Sequence, residues 1–222
     1  EDPFLNKKMA VPMVVGLQDN DVMACIKHYA ANNQETNRDF IDVQIDERTL
    51  REIYLPAFEA SVREGKAYSI MGAYNKFRGE YLCENDYMLN KILRDEWGFK
   101  GVVVSDWAAV HSTVKSLKSG LDIEMGTPTT KFNEFFLADR LIAAVKAGEI
   151  SEAEIDIHVK RILHVLFQVK AIDGKDRVKG SIATEAHYQD AYKIAAESVV
   201  LLKNENNALP LKLDGVKSIA VI

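Results

Sequence analysis

The stretch Gly101-Val102-Val103-Val104-Ser105-Asp106-Trp107 decides the fold. Residues 101–104 form a continuous β-branched run, as a strand buried on both faces requires. The run stops on a hydroxyl, a carboxylate and an indole. Upstream, Trp97-Gly98-Phe99 reads as a turn, preceded by a short helix over residues 87–96. Further back, residues 68–74 (Tyr-Ser-Ile-Met-Gly-Ala-Tyr) and 24–29 (Ala-Cys-Ile-Lys-His-Tyr) read as two more strands. Between them Leu50, Ile53, Tyr54, Ala57, Phe58 and Val62 recur at helical spacing, which predicts a helix over residues 47–64. Pro56 is expected to kink it and Gly65 to stop it. Downstream, a helix over 108–119 ends at Gly120, and residues 121–125 read as a fourth, shorter strand. Strands that alternate with helices in this way imply an α/β fold with parallel pairing.

The rest of the chain reads as helical. One helix is expected over residues 133–146. The next opens on Ser151-Glu152-Ala153-Glu154, a capping box, with an apolar stripe of Ile155, Val159, Ile162, Leu163, Leu166 and Phe167. The polar run Asp173-Gly174-Lys175-Asp176-Arg177 reads as a linker. A last helix is expected over 185–203, and a final strand from Val216.

The 222 residues carry Lys+Arg 28 against Asp+Glu 33, a net charge of −5, and 47% are hydrophobic. That is enough apolar material for a sizeable core and too little positive charge for a nucleic-acid partner. No apolar run approaches the ~20 residues a membrane-spanning helix needs. The two cysteines, Cys25 and Cys83, form no disulfide framework and no metal-ligand spacing. Both are expected to be reduced, with Cys25 buried. Phosphate-loop, HExxH, CxxC and GxSxG patterns are absent, so the sequence supports no cofactor and no metal.

In parallel α/β folds the functional side chains sit where strands end. Three strand ends carry polar clusters here: Lys27-His28, Tyr74-Asn75 and Ser105-Asp106-Trp107. A carboxylate at the mouth of a buried strand is costly without a partner or a job. Beside an aromatic face it suits a sugar, whose CH face stacks on rings while its hydroxyls need acceptors. Asp is equally a favoured helix N-cap, and periodicity leaves the two roles for Asp106 evenly balanced. The pair Lys27-His28 by itself favours one inward, satisfied His and one solvated Lys. His111, His158, His164 and His187 read as surface or packing residues.

Taken together, several ordered segments resemble glycoside hydrolase family 3 of the β-glucosidase type. They are Glu1-Asp2-Pro3-Phe4 with Lys8-Met9-Ala10, the run Ile26-Lys27-His28-Tyr29 through Asn32-Asn33-Gln34-Glu35-Thr36-Asn37-Arg38, the helix Glu47-Arg48-Thr49-Leu50 to Pro56-Ala57-Phe58, Met71-Gly72-Ala73-Tyr74-Asn75, the strand ending in Ser105-Asp106-Trp107, and Ala196-Glu197-Ser198-Val199-Val200-Leu201-Leu202-Lys203-Asn204. The resemblance covers essentially the whole chain. It implies a retaining glycosidase acting on β-glucosides or oligosaccharides, with Asp106 as the nucleophile. It further implies that Lys27 and His28 bind sugar hydroxyls, that Met71 and Tyr74 line the sugar site, and that Trp107 borders it. Residues 1–172 would be the C-terminal part of a TIM-type catalytic barrel, 173–215 a linker and connecting helix, and 216–222 the start of a second α/β domain.

A barrel of this kind takes about 250 residues. The resemblance therefore places its early strands, with an acidic residue and an Arg that grip the sugar, upstream of Glu1. The acid/base Glu is expected from the second domain, and no family motif marks Glu35, Glu84 or Glu124 for that role. The partners expected are the sugar substrate and either the rest of the enzyme or another copy of the chain. The rival reading is a non-catalytic half-barrel that binds sugar or self-associates.

Overall fold

The computed structural model describes residues 2–126, 131–177 and 179–220. The chain divides into two compact units, Glu1–Val178 and Lys179–Ile222. The first unit carries every strand found among the described residues.

Its centre is a parallel sheet of β1 (Cys25–Tyr29), β3 (Ser69–Gly72) and β6 (Val102–Ser105), in the order β1-β3-β6. β3 and β6 pair in strict register, Ser69 with Val102 through Gly72 with Ser105. Both strands are buried along their whole length, as their unbroken apolar reading requires. Ile70 and Val103 sit in the main core, with Tyr29, Leu50, Leu55, Leu89, Ile92 and Leu93. Met71 and Val104, paired across the sheet, belong to its other face by the twofold side-chain period.

A second, smaller sheet of β2 (Asp42–Val43), β4 (Lys76–Phe77) and β5 (Glu80–Tyr81) lies in the order β2-β4-β5. β4 and β5 form a hairpin whose two turn residues, Arg78 and Gly79, both take positive φ. That is the turn a right-twisted hairpin prefers, and glycine takes it without strain.

The helices depart from their expected bounds for identifiable reasons. α1 (Pro3–Gln18) was not legible, because its apolar residues are spread around the helix: Val14 is buried while Phe4, Met9 and Met13 face solvent. It starts where Asp2 accepts from the Phe4 and Leu5 amides and Pro3 occupies the first turn. The helix expected over 47–64 is three pieces: α2 (Glu47–Thr49), a π-helical turn Leu50–Tyr54, and α3 (Pro56–Arg63). Pro56 has no N–H to give, so it restarts the helix at a first-turn position, while the Leu55 amide reaches back to the Leu50 carbonyl.

The segment Tyr87–Glu96 is helical as expected, in π form. In place of a helix over 108–119 only α4 (Val114–Lys118) forms, and the residues before it run as a loop. The fourth strand shrinks to a single bridge between Val104 and Ile123. The helix expected from 133 begins as a 3-10 turn, Phe132–Glu134, and resumes as α5 (Asp139–Lys146). α6 (Glu152–Gln168) carries the capping box of Ser151 and Glu154.

In the second unit, α7 (Glu185–Ser198), capped by Thr184, ends earlier than expected. Residues 216–220 form no strand, since no other strand in their unit offers a ladder, and Val221 and Ile222 lie outside the described residues. Cys25 is half-exposed rather than buried, whereas Cys83 is buried. Among the described residues no helix is long and apolar enough to cross a membrane.

At the N-terminal ends of β3 and β6 the fold is locked by Asp122. Its carboxylate accepts from Arg94 at 2.6 Å, from the Val103 amide at 2.8 Å and from Arg161 at 3.0 Å, and contacts His158 Nδ1 at 2.7 Å. Burial alone would raise its pKa. The His158 hydrogen bond, the Arg94 charge, the Val103 amide and Arg161 together outweigh burial and hold it below the ordinary 3.8. The stability this contributes is complete above the unfolded value and is lost as pH falls through the lower, folded one. Asp122→Ala leaves Arg94 buried without its counter-charge and is expected to cost about 3–5 kcal/mol. Urea unfolding at pH 7 measures it, and the gap between wild type and Asp122→Ala should narrow below pH 4.

Candidate active site

At the other end of the sheet Asp106 follows β6 directly and is 8% exposed. The helix N-cap alternative fails, because the next helix begins eight residues later at Val114. One carboxylate oxygen, Oδ1, accepts from the Tyr74 hydroxyl at 3.0 Å and from the Trp107 amide at 2.7 Å. The other, Oδ2, lies 3.2 Å from His28 Nε2. A buried carboxylate with this many donors is held as an oriented acceptor.

Local geometry explains why these side chains meet. The β1–β3 register advances three residues on β1 and two on β3 between the Ile26–Ile70 and Tyr29–Gly72 pairs. The extra residue is a bulge at Lys27-His28, and a bulge re-aims side chains at a strand end. Tyr74 stands two residues beyond β3 and Asp106 one beyond β6, so the in-register pairing of those strands brings phenol and carboxylate together. His28 and Tyr74 therefore join Asp106. Lys27 is exposed, forms no ion pair among the described residues, and lines a separate groove with Met13, Ala24 and Phe58 rather than the cleft of Tyr74 and Trp107. Met71 is buried, on the sheet face that Val104 and Asp106 share by strand period. Trp107 is 69% exposed and presents a free apolar ring at the mouth.

Sequence reasoning gave Arg38 no role of its own. Its guanidinium lies 4.5 Å from the centre of the Tyr74 ring and is held by Glu35 at 2.7 Å. A signal existed in its cationic charge within the run after β1, but no spacing rule ties that loop to Tyr74. A cleft of about 320 Å³ opens here, walled by Arg38, Phe40, Tyr74, Trp107 and His111. A larger cavity of about 550 Å³ lies at the opposite end of the strands, near Tyr68 and Gly101, away from Asp106. Among the described residues no cluster of His, Cys, Asp or Glu is arranged to hold a metal ion.

The site offers an oriented carboxylate, donors of hydroxyl and imidazole type, a cation and an open aromatic face. This set suits a neutral polyhydroxylated ligand that approaches the carboxylate from the Trp107 side.

The sequence profile described as the glycosyl hydrolase family 3 N terminal domain matches residues 1–165. Beta-glucosidase BoGH3A of Bacteroides ovatus is 43% identical over 212 residues, covering 92% of this chain and 28% of that protein. An exo-alpha-(1->6)-L-arabinopyranosidase of Bifidobacterium longum is 39% identical over 211 residues, covering 95% of this chain and 27% of that protein. The solved structure of beta-glucosidase 3B from Thermotoga neapolitana in complex with glucose matches with a TM-score of 0.85 at 43% identity, over 96% of this chain and 30% of that one. The chain thus spans less than a third of the length of these relatives, and its parallel sheet with covering helices has the TIM-type α/β fold.

Burial, the hydrogen bond to Asp106 and the charge of Asp106 push the Tyr74 phenol up to about 12. An ordinary tyrosine is half ionised near pH 10. Tyr74 is therefore expected to stay protonated at pH 10.5, read from its ring-carbon NMR shift. Asp106→Asn should bring its titration back toward 10 in part, because burial remains.

Proposed function

Because the chain belongs to glycosyl hydrolase family 3, we propose that Asp106 is the nucleophile of a retaining glycoside hydrolase acting on β-glucosides or related oligosaccharides. One observation carries this. The carboxylate is fixed through Oδ1 by Tyr74 and the Trp107 amide, while Oδ2 lies beside the His28 imidazole, next to the cleft that Tyr74 and Trp107 wall. In the proposed step Oδ2 attacks the anomeric carbon, a glycosyl ester forms, and the bond to the leaving oxygen breaks. An acid protonates that oxygen, and water later hydrolyses the ester. Tyr74 and the Trp107 amide hold the nucleophile in place, and His28 and Lys27 offer hydrogen bonds to sugar hydroxyls. Arg38 adds a donor over Tyr74, Met71 lines the floor and Trp107 stacks on the sugar face.

Glu35 is engaged by Arg38, Glu84 by His111 and Ser116, and Glu124 by the Leu137 amide. We therefore assign the acid to none of them and place it outside these 222 residues. We read residues 1–172 as barrel, 173–215 as the connection and 216–222 as the start of a further α/β domain, with the remainder of the enzyme or a second copy of the chain as protein partner. Glucose is the sugar favoured by the relatives, and the arabinopyranosidase relative makes sugar identity a direct object of test.

Asp106→Asn is expected to abolish hydrolysis of 2,4-dinitrophenyl β-glucoside, a substrate whose leaving group needs little acid, while the fold survives by circular dichroism. Near-normal turnover by that variant would sink the assignment. Sugar binding to the wild-type chain without any turnover of this substrate would support the non-catalytic alternative. His28→Ala and Lys27→Ala should each cost about 1.5–3 kcal/mol in kcat/KM. An unchanged value for both would remove them from the site.

A further inference from the structure

Directly behind the candidate nucleophile lies the buried segment Leu82-Cys83-Glu84-Asn85, which the proposed chemistry leaves unused. Glu84 is 7% exposed, and no Lys or Arg pairs with it among the described residues. A carboxylate in such a place is costly to bury unless its hydrogen bonds accomplish something. All of them go to one stretch of chain. Glu84 Oε1 accepts the His111 amide at 3.0 Å and the Ser116 hydroxyl at 3.3 Å, and its backbone carbonyl accepts the Ser119 hydroxyl at 2.8 Å.

That stretch is the loop leaving Asp106 together with α4, which follows it: His111 lies on the loop, Ser116 in α4 and Ser119 at its C-terminal end. The loop turns sharply, with the Ala109 amide donating to the Asp106 carbonyl, and Ala108 takes φ 58°, a conformation that costs a residue with a Cβ. The Ala108 amide donates to the Gly126 carbonyl at 2.9 Å, which ties the bend itself, and the Glu84 bonds add a second tie that begins three residues further on.

The neighbouring residue supports the same region. Cys83 is fully buried, and a Cβ added at Gly72 would come within 2.7 Å of its sulfur, so the bare glycine gives the thiol its seat at the end of β3. Burial pushes that thiol up to about 12, and it donates to the Ala73 carbonyl at 4.0 Å. On the far side of the loop the His111 ring stacks on Tyr81 at 3.6 Å.

We propose that Glu84 is a positioning residue for the candidate nucleophile, anchoring the loop after β6 through His111 and Ser116 so that Asp106 and Trp107 keep their orientation toward the cleft. This rests on the catalytic role proposed for Asp106.

Two readouts test it on the 222-residue chain. The first is hydrogen exchange of the His111 amide by NMR. The second is the rate of covalent inactivation by 2,4-dinitrophenyl 2-deoxy-2-fluoro-β-glucoside, separated into its maximal rate and its half-saturating concentration. Glu84→Ala should speed His111 exchange and slow maximal inactivation by about tenfold or more, with half-saturation changed less. Glu84→Gln keeps an acceptor in the same shape and should recover most of both. Ser116→Ala, a milder change, should show a small loss of the same kind. Wild-type exchange at His111 and wild-type inactivation in folded Glu84→Ala and Glu84→Gln would overturn the proposal. So would slower inactivation in Glu84→Ala that Glu84→Gln fails to rescue. If the wild-type chain is never inactivated, His111 exchange alone decides whether Glu84 anchors the loop.

Discussion

Everything at the site depends on the in-register pairing of β3 with β6. Four residues of each strand are bound side by side and buried on both faces, so a slip would leave buried backbone donors and acceptors at the strand ends without partners. Fixed register also fixes where the residues beyond each strand emerge. Tyr74 and Asp106 leave the sheet at neighbouring points, and their 3.0 Å hydrogen bond results from that pairing. The bulge in β1 then supplies the one residue of freedom that brings His28 to the other carboxylate oxygen.

The two ends of the sheet divide the work. Asp122 and its cationic partners tie the strand starts to α6 and to the segment Tyr87–Glu96, where a charge cluster serves stability. Asp106 at the strand ends meets a phenol, a backbone amide, an imidazole and an exposed indole. A carboxylate ringed by arginines is committed to those partners, whereas Asp106 has no arginine on either oxygen among the described residues.

The strands and the polar strand ends were legible because burial leaves a signature in sequence: unbroken β-branched runs that stop on a carboxylate, a phenol or an imidazole. Family resemblance, more than spacing, assigned Asp106 its role, since an N-cap explained the same residue equally well until α4 was seen to start at Val114. Less legible was what depends on contacts distant in sequence. α1 has no clean apolar stripe, the loop after β6 replaced an expected helix, and the fourth strand kept one bridge. Arg38 and Glu84 act through neighbours 36 and 27 positions away, Tyr74 and His111 respectively, and no local period encodes such pairs.

If the Asp106 carboxylate is the nucleophile, it must form a covalent bond to the anomeric carbon. The most direct measurement is peptide mapping by mass spectrometry of the chain after reaction with an activated 2-deoxy-2-fluoro-β-glucoside. One fluoroglucosyl adduct is predicted, on the peptide that contains Ser105-Asp106-Trp107, with fragment ions placing it on Asp106. An adduct on any other carboxylate, or labelling that persists in Asp106→Asn, would contradict the assignment.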